Sequence, residues 1–151
     1  MAETMAHGVS ERHEIRLAES DRDIERCFPV MVQLRSHLDE ATFVATVRRQ
    51  SAGGFALAFL EGEGHVRAVA GFRVIDNLFS GRILYVDDLV TDAAVRSHGY
   101  GKALLDWLTI RARAEGCRSL ELDSGVQRFD AHRFYLVNRM HIGSYHFRLK
   151  I

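Results

Sequence analysis

The chain is poor in proline and cysteine and has no excess of either charge. Its 151 residues include one proline and two cysteines, Cys27 and Cys117, and its twenty basic residues balance twenty acidic ones. Two distant cysteines do not make a disulfide scaffold and favour a reducing compartment. The balanced charge argues against a nucleic-acid partner bound by bulk charge.

Long apolar runs are also absent. No stretch approaches the ~20 residues that a helix needs to cross a bilayer. The first residues, MAETMAHGVSERHE, lack the apolar segment of a secretory signal, and no histidine pair has the spacing of a zinc helix. We therefore expect a cytoplasmic protein without a membrane partner or metal. A flexible leader is predicted over residues 1–13 and one domain over residues 14–151.

The hydrophobic pattern predicts an α/β domain in the order β-α-α-β-β-β-α-β-α-β. Alternating apolar residues predict strands, and apolar residues three and four apart predict helices. Strands are expected at 14–20, 55–61, 65–76, 82–92, 117–123 and 141–151, and helices near 21–34, 39–50, 100–115 and 128–138. Pro29 either kinks or splits the first helix, and the sequence leaves both open.

Two glycines, Gly99 and Gly101, stand where the third helix must begin. Because glycine costs a helix roughly 1 kcal/mol, their presence suggests a backbone role. The first amides of a helix lack intrahelical acceptors and carry the positive end of its dipole, so they can hold a phosphate. Arg96 and Lys102 add positive charge. A plain loop before a helix is the alternative, and the spacing does not fit a P-loop.

Two sequence blocks carry a family resemblance. RSHGYG at 96–101 fits Arg/Gln-x-x-Gly-x-Gly/Ala, and AHRFYLVNRM at 131–140 resembles Ala-x-x-Phe-Tyr-x-x-x-Gly-Phe. In this order they resemble the GNAT superfamily of acetyl-CoA-dependent N-acetyltransferases. The resemblance implies a mixed, mostly antiparallel sheet of six to seven strands with helices on both faces. It also implies acetyl-CoA as the co-substrate, and it raises the expectation of a homodimer. Arg139 departs from the family glycine, and we expect Asn138 to make that left-handed turn.

The resemblance also implies which residues bind the coenzyme. Leu89, Val90 and Thr91 would hydrogen-bond the pantetheine arm through their backbone. The pyrophosphate would lie against Arg96, Ser97, His98, Gly99, Tyr100, Gly101, Lys102 and Ala103. Ser124 would follow the strand that splays away and opens the acetyl slot, and Tyr135 would lie near the coenzyme sulfur.

Acetyl transfer to an amine needs a group that accepts a proton, because a free alkylamine has a pKa near ~10. Asp88 or Asp87 is expected to accept it, through water, or to bind a cationic amine. Adjacent strand residues face opposite sides, so only one of the two can point at the substrate. Glu121 and Asp123 are alternative bases. The competing interpretation is that these carboxylates act as caps or pair with arginines.

Two further groups complete the expected chemistry. The amide of Val90 is expected to donate to the oxyanion, and Tyr135 to protonate the departing thiolate. The predicted function is acetyl transfer to a primary amine of a small molecule or protein, by direct attack in a ternary complex. A non-catalytic CoA-binding regulatory module, or an acyltransferase using a different acyl-CoA, is the alternative.

Overall fold

A five-stranded sheet forms the centre of the fold in the computed structural model, which describes residues 12–151. The strands are β1 His13–Leu17, β2 Phe55–Gly62, β3 His65–Asn77, β4 Gly81–Thr91 and β5 Ser119–Leu122. They lie in chain order, and all neighbours are antiparallel except β4 and β5, which are parallel. Of the predicted leader, residues 1–11 lie outside the described residues, and His13 begins β1.

Four helices connect and follow the strands. They are α1 Asp21–Leu34, α2 Glu40–Ala52, α3 Tyr100–Ala114 and α4 Phe129–Val137, and a 3-10 turn, Ala93–Val95, precedes α3. Ser20 caps α1 by accepting a hydrogen bond from the Asp23 amide (3.1 Å). The same helix runs through Pro29, so the proline does not split it.

The helices cover both faces of the sheet, as predicted. On one face α1 and α2 pack through Ile24, Cys27, Val30, Met31, Phe43 and Val47. On the other face α3 packs through Tyr100, Leu104, Leu108 and Ala112. Both cysteines are free thiols, and burial raises the pKa of Cys27 to about 12. Neither cluster reaches α4, none of whose residues is fully buried.

The mixed, mostly antiparallel sheet is confirmed, but the predicted number of strands is wrong. The residues that the structure describes form five strands rather than six to seven. The missing one is the predicted closing strand at 141–151, which alternates like a strand but pairs with no other segment among residues 12–151. Within residues 12–151 no helix is long and apolar enough to span a membrane.

Candidate active site

A cleft opens where β4 and β5 diverge. β5 pairs only with Ile83 to Val86 of β4 and ends at Leu122. Beyond that point the described part of the chain puts no strand on this side of β4. A cavity of about 1210 Å³ occupies the gap. Eight predicted site residues line it: Asp87, Asp88, Leu89, Val90, Arg96, Asp123, Ser124 and Tyr135.

A β-bulge marks the start of the cleft. Gly71 of β3 lies opposite Asp88, whereas its neighbour Phe72 lies opposite Val86, so Asp87 is the extra residue of β4. A bulge leaves its extra residue unpaired and bends the strand. Here it also changes which backbone groups of β4 face β3 and which face the cleft.

The register beyond the bulge identifies the cleft-facing backbone groups. Asp92 N donates to Arg67 O of β3 (2.8 Å). Hydrogen-bonded pairs alternate along an antiparallel ladder, so Val90 also bonds β3, whereas Leu89 and Thr91 turn their N–H and C=O groups to the cleft. The amide expected to act at Val90 is thus already engaged, and Leu89 replaces it as the candidate donor.

The start of α3, which follows shortly after the cavity residue Arg96, is an open anion cradle. Gly99 has φ +80°, no side chain caps the helix, and apart from the residues next to it in the chain no described atom lies within 4 Å of where a Gly99 Cβ would be. The helical ladder begins with Ala103 N donating to Gly99 O (3.0 Å). Within residues 12–151 the amides of Gly101 and Lys102 have no acceptor. These features fit a phosphate group.

The other residues of this segment contribute unequally. Arg96 lines the cavity and is exposed, and Ser97 and His98 are also exposed. Tyr100 is the first residue of α3, and its side chain is buried in the core that packs this helix against the sheet. Tyr100 can therefore contribute only its backbone to the cradle. The Lys102 ammonium lies 2.6 Å from Asp106 Oδ2 on the exposed side of the helix.

Both candidate bases form ion pairs with arginines. Arg35 Nε donates to Asp88 Oδ1 (2.7 Å), and Arg73 binds Asp87 through Nε (3.0 Å to Oδ2) and Nη2 (2.7 Å to Oδ1). Burial raises the pKa of Asp88, and the Arg35 guanidinium opposes that rise. The surroundings of Asp88 therefore tune the acid–base behaviour of this candidate base.

Gly71 makes room for Asp88 and was not predicted from the sequence. A Cβ at Gly71 would lie 2.5 Å from Asp88 Oδ2 and 2.5 Å from the Phe55 ring. Any side chain there would displace one or both. The glycine inside an otherwise apolar strand was the available sign of such a close approach.

Tyr135 reaches the cleft from α4. Its side chain is half-buried, and burial raises the pKa of its hydroxyl. The helix then ends in a turn in which Met140 N donates to Tyr135 O (3.1 Å) and Arg139 N to Leu136 O (3.1 Å). Arg139 itself is left-handed, with φ +67°, whereas Asn138 has φ −90°. The expectation that Asn138 makes this turn was wrong.

Three other cleft residues, Arg35, Arg73 and Tyr85, escaped the sequence analysis. Arg35 carried no recognisable pattern, because its partner Asp88 lies far away in the sequence, and Arg73 meets Asp87 only through the register of β3 with β4. Tyr85 donates its hydroxyl to Asp123 Oδ2 (2.5 Å), and His146 Nδ1 lies 3.5 Å from the same oxygen. Asp123, the alternative base, is thereby already engaged.

Comparisons with known proteins agree with one another. The model of the acetyltransferase (GNAT) family matches residues 18–138. An uncharacterized N-acetyltransferase, YhdJ, of Bacillus subtilis (strain 168) is 40% identical over 112 residues, which is 72% of this chain and 77% of the relative. An aminoalkylphosphonate N-acetyltransferase of Salmonella typhimurium (strain LT2) is 39% identical over 51 residues, or 34% of this chain and 33% of that protein.

The fold also matches a solved enzyme. The aminoglycoside N-acetyltransferase AAC(6')-Iy, in complex with CoA, superposes with a TM-score of 0.82 at 13% identity, covering 93% of this chain and 95% of that one. At that identity the likeness shows a common fold alone.

Proposed function

Since the chain belongs to the GNAT family of acetyltransferases, whose co-substrate is acetyl-CoA, we propose that it acetylates a primary amine of a small molecule or protein. The amine attacks the thioester directly within a ternary complex. We also propose that the protein acts in the cytoplasm. One observation supports it above the others. A single cavity is lined by Arg96, which lies just before the cradle of α3, by Leu89 and Val90 of β4, and by Tyr135.

The coenzyme is proposed to lie along β4 with its pyrophosphate on α3. The open amides of Gly101 and Lys102 and the guanidinium of Arg96 supply positive charge for two linked phosphates. The backbone groups of Leu89 and Thr91 can pair with the amides of the pantetheine arm, as a strand would. When bound, acetyl-CoA supplies an activated acyl thioester, so the main task of the chain is orientation.

Three groups are proposed to handle charge during the reaction. Asp88 accepts a proton from the amine, directly or through water, and its raised pKa brings it nearer the pH at which a base is most effective. The Leu89 amide stabilises the negative charge that develops on the acyl oxygen. Tyr135 donates its proton or a hydrogen bond to the departing thiolate.

The charge of the cleft supports an acceptor that carries an anionic group. Five arginines line the cavity against three aspartates, and Arg35 and Arg73 are paired with two of those. Arg128 and Arg148 form no ion pair within residues 12–151. An amine with an anionic group, the chemistry named for the Salmonella relative, suits such a surplus better than a polycation does.

Release of the CoA thiol over matched amines tests the proposal. We expect turnover with acetyl-CoA, and a higher kcat/KM for an aminoalkylphosphonate than for an alkylamine of the same length. A peptide with a free N-terminus and propionyl- and succinyl-CoA complete the panel. Acetyl-CoA binding without turnover of any amine would indicate a non-catalytic module. A strong preference for another donor would overturn the assignment of acetyl-CoA.

Gly101→Glu tests the coenzyme cradle. A carboxylate beside the phosphates should weaken acetyl-CoA binding by at least about 10-fold, or ~1.4 kcal/mol, measured by calorimetry. Because a Gly101 Cβ would lie 3.1 Å from Thr91 Oγ1, steric effects need a control. Gly101→Ala adds the same Cβ without the charge and should retain more affinity. Equal affinity of the glutamate variant and the wild-type chain would refute the cradle.

A further inference from the structure

The side chain of Gln33 joins the end of α1 to the turn that leads toward the cradle of α3. Its Nε2 donates to Asp92 Oδ1 (3.1 Å), and its Oε1 accepts a hydrogen bond from Ala93 N (2.9 Å). Nε2 also donates to Pro29 O (3.3 Å), one turn earlier in the same helix. Both amide hydrogens and the amide oxygen of Gln33 therefore have partners, which fixes the orientation of the group.

The turn at residues 92–95 is also tied to the sheet. Asp92 caps it, because Asp92 Oδ1 accepts a hydrogen bond from Ala94 N (3.1 Å). Asp92 N donates to Arg67 O of β3 (2.8 Å). Hydrogen bonds from Gln33 and then from Ala94 lower the pKa of Asp92, so Asp92 is a carboxylate at neutral pH and accepts both of them.

The position of this turn decides where the positive charges of the coenzyme site lie. Arg96 follows the turn directly, and Gly99 begins the cradle three residues later. Within the described part of the chain, no side-chain hydrogen bond holds residues 95–99. The contacts of Gln33 and Asp92 are therefore the last side-chain hydrogen bonds that fix the chain before α3 begins.

Arg35, two residues after Gln33, gives the same end of α1 a second hold on β4. Its Nε donates to Asp88 Oδ1 (2.7 Å) and its Nη2 to Asp87 O (2.8 Å). The two contacts of α1 thus lie on either side of residues 89–91, a stretch of β4 that has no neighbour from β5. One helix end therefore fixes the proposed base and the turn before the cradle relative to each other.

We propose that Gln33 is a positioning residue for the coenzyme, because it holds the turn at 92–95 where Arg96 and the cradle meet the pyrophosphate together. Gln33 lines the cavity but needs no contact with the coenzyme for this role. A turn that is fixed beforehand needs little ordering when acetyl-CoA binds, whereas a loose turn has to be ordered at the expense of affinity. The role rests on the proposed acetyltransferase function, since it requires acetyl-CoA to bind in this cleft.

Calorimetry with acetyl-CoA tests the role without turnover. Gln33→Ala removes both hydrogen bonds to the turn and should weaken acetyl-CoA binding by about 5- to 10-fold, the lower part of the range that two hydrogen bonds supply. Gln50→Ala is the matched control, because Gln50 also lies near the end of a helix and lines the cavity, but its side chain makes no hydrogen bond within residues 12–151. It should keep the wild-type affinity for acetyl-CoA. Circular dichroism checks that both variants are folded.

A polarity swap between the two partners separates this hydrogen bond from a general disturbance of the cleft. Gln33→Glu sets a second carboxylate against Asp92 and should bind acetyl-CoA no better than Gln33→Ala. Adding Asp92→Asn gives the new carboxylate a donor, while the asparagine oxygen can still cap Ala94 N. The double variant should therefore bind acetyl-CoA more tightly than Gln33→Glu alone. In steady-state kinetics of Gln33→Ala, the KM for acetyl-CoA should rise by a larger factor than kcat falls, because Arg35 still holds Asp88.

The outcomes separate this role from the proposed function. Wild-type affinity in Gln33→Ala, equal losses in Gln33→Ala and Gln50→Ala, or a double variant no better than Gln33→Glu overturns the role of Gln33 and leaves the proposed function standing. Gln33→Ala that unfolds at a lower urea concentration, yet binds acetyl-CoA like the wild-type chain, has the same meaning, since Gln33 would then serve the fold alone. A wild-type chain that does not bind acetyl-CoA overturns the proposed function and this role together.

Discussion

Tyr135→Phe is expected to lower kcat for acetyl transfer by roughly 10²- to 10⁴-fold, the usual contribution of a positioned proton donor. The departing thiolate needs a proton or a hydrogen bond, and Tyr135 brings a hydroxyl into the cleft that opens between β4 and β5. Burial raises its pKa, so the hydroxyl keeps its proton through neutral pH. The phenylalanine retains the ring, so the affinity for acetyl-CoA should change far less than kcat.

A second tyrosine of the cleft provides the matched control. Tyr85 also lines the cavity, but its hydroxyl is committed to Asp123 (2.5 Å). Tyr85→Phe should therefore cost much less in kcat than Tyr135→Phe. Steady-state kinetics, with calorimetry for coenzyme affinity, separates the two. Unchanged kcat for Tyr135→Phe, or equal losses for both variants, would remove the assigned role.

The sequence predicted where the strands lie along the chain better than it predicted which of them pair in the sheet. The alternation at 14–20 and the apolar runs at 55–61 and 65–76 correspond to β1, β2 and β3, which lie side by side in the sheet. The alternation within 141–151 gave no strand in the part of the chain that the structure describes. A period of two residues reports a preference for extended structure, and hydrogen bonding also requires a neighbour.

The β-bulge at Asp87 shows a similar limit of prediction from sequence, because it decides which backbone amides face the cleft. The family resemblance implied that Leu89, Val90 and Thr91 lie along the cleft, but the extra residue Asp87 shifts which of their amides face it. A bulge of one residue leaves no trace in hydrophobic alternation when the strand is buried on both sides. The choice between Leu89 and Val90 therefore depended on the register with β3.

The arginine partners of Asp87 and Asp88 could not be predicted from the sequence. Arg35 approaches Asp88 from the residue after α1, and this contact depends on how α1 crosses the sheet. No local spacing encodes that crossing. The interpretation that the aspartates pair with arginines was nevertheless available from chemistry, since half-buried carboxylates are normally paired.

Asp88→Asn is expected to lower kcat/KM by roughly 10²- to 10⁴-fold, because an amide cannot accept the proton of the amine. Asparagine has nearly the same shape, so it fits the space that Gly71 leaves. Arg35→Gln is the informative control, since it breaks the same ion pair but keeps the carboxylate. If the ion pair alone mattered, both variants would lose equal activity and Asp88 would be a positioning residue.

The pH dependence gives a readout that a structural role would not produce. Burial raises the pKa of Asp88 above its ordinary value of 3.8, so kcat/KM should fall as the pH drops through that raised value. Arg35 holds this pKa down, and Arg35→Gln should therefore move the acid limb to higher pH. Asp88→Asn should abolish the limb. The amine of the substrate titrates identically in all three proteins and does not affect the comparison.

The stability of the fold should depend on the same proton in a defined direction. Between 3.8 and its raised folded pKa, Asp88 binds more proton in the folded than in the unfolded chain, so the free energy of unfolding decreases as the pH rises through this window. Asp88→Asn should remove that slope in urea unfolding measured at several pH values. A variant that keeps the wild-type slope would show that Asp88 does not carry the raised pKa, and its assignment as the base would lose its main support.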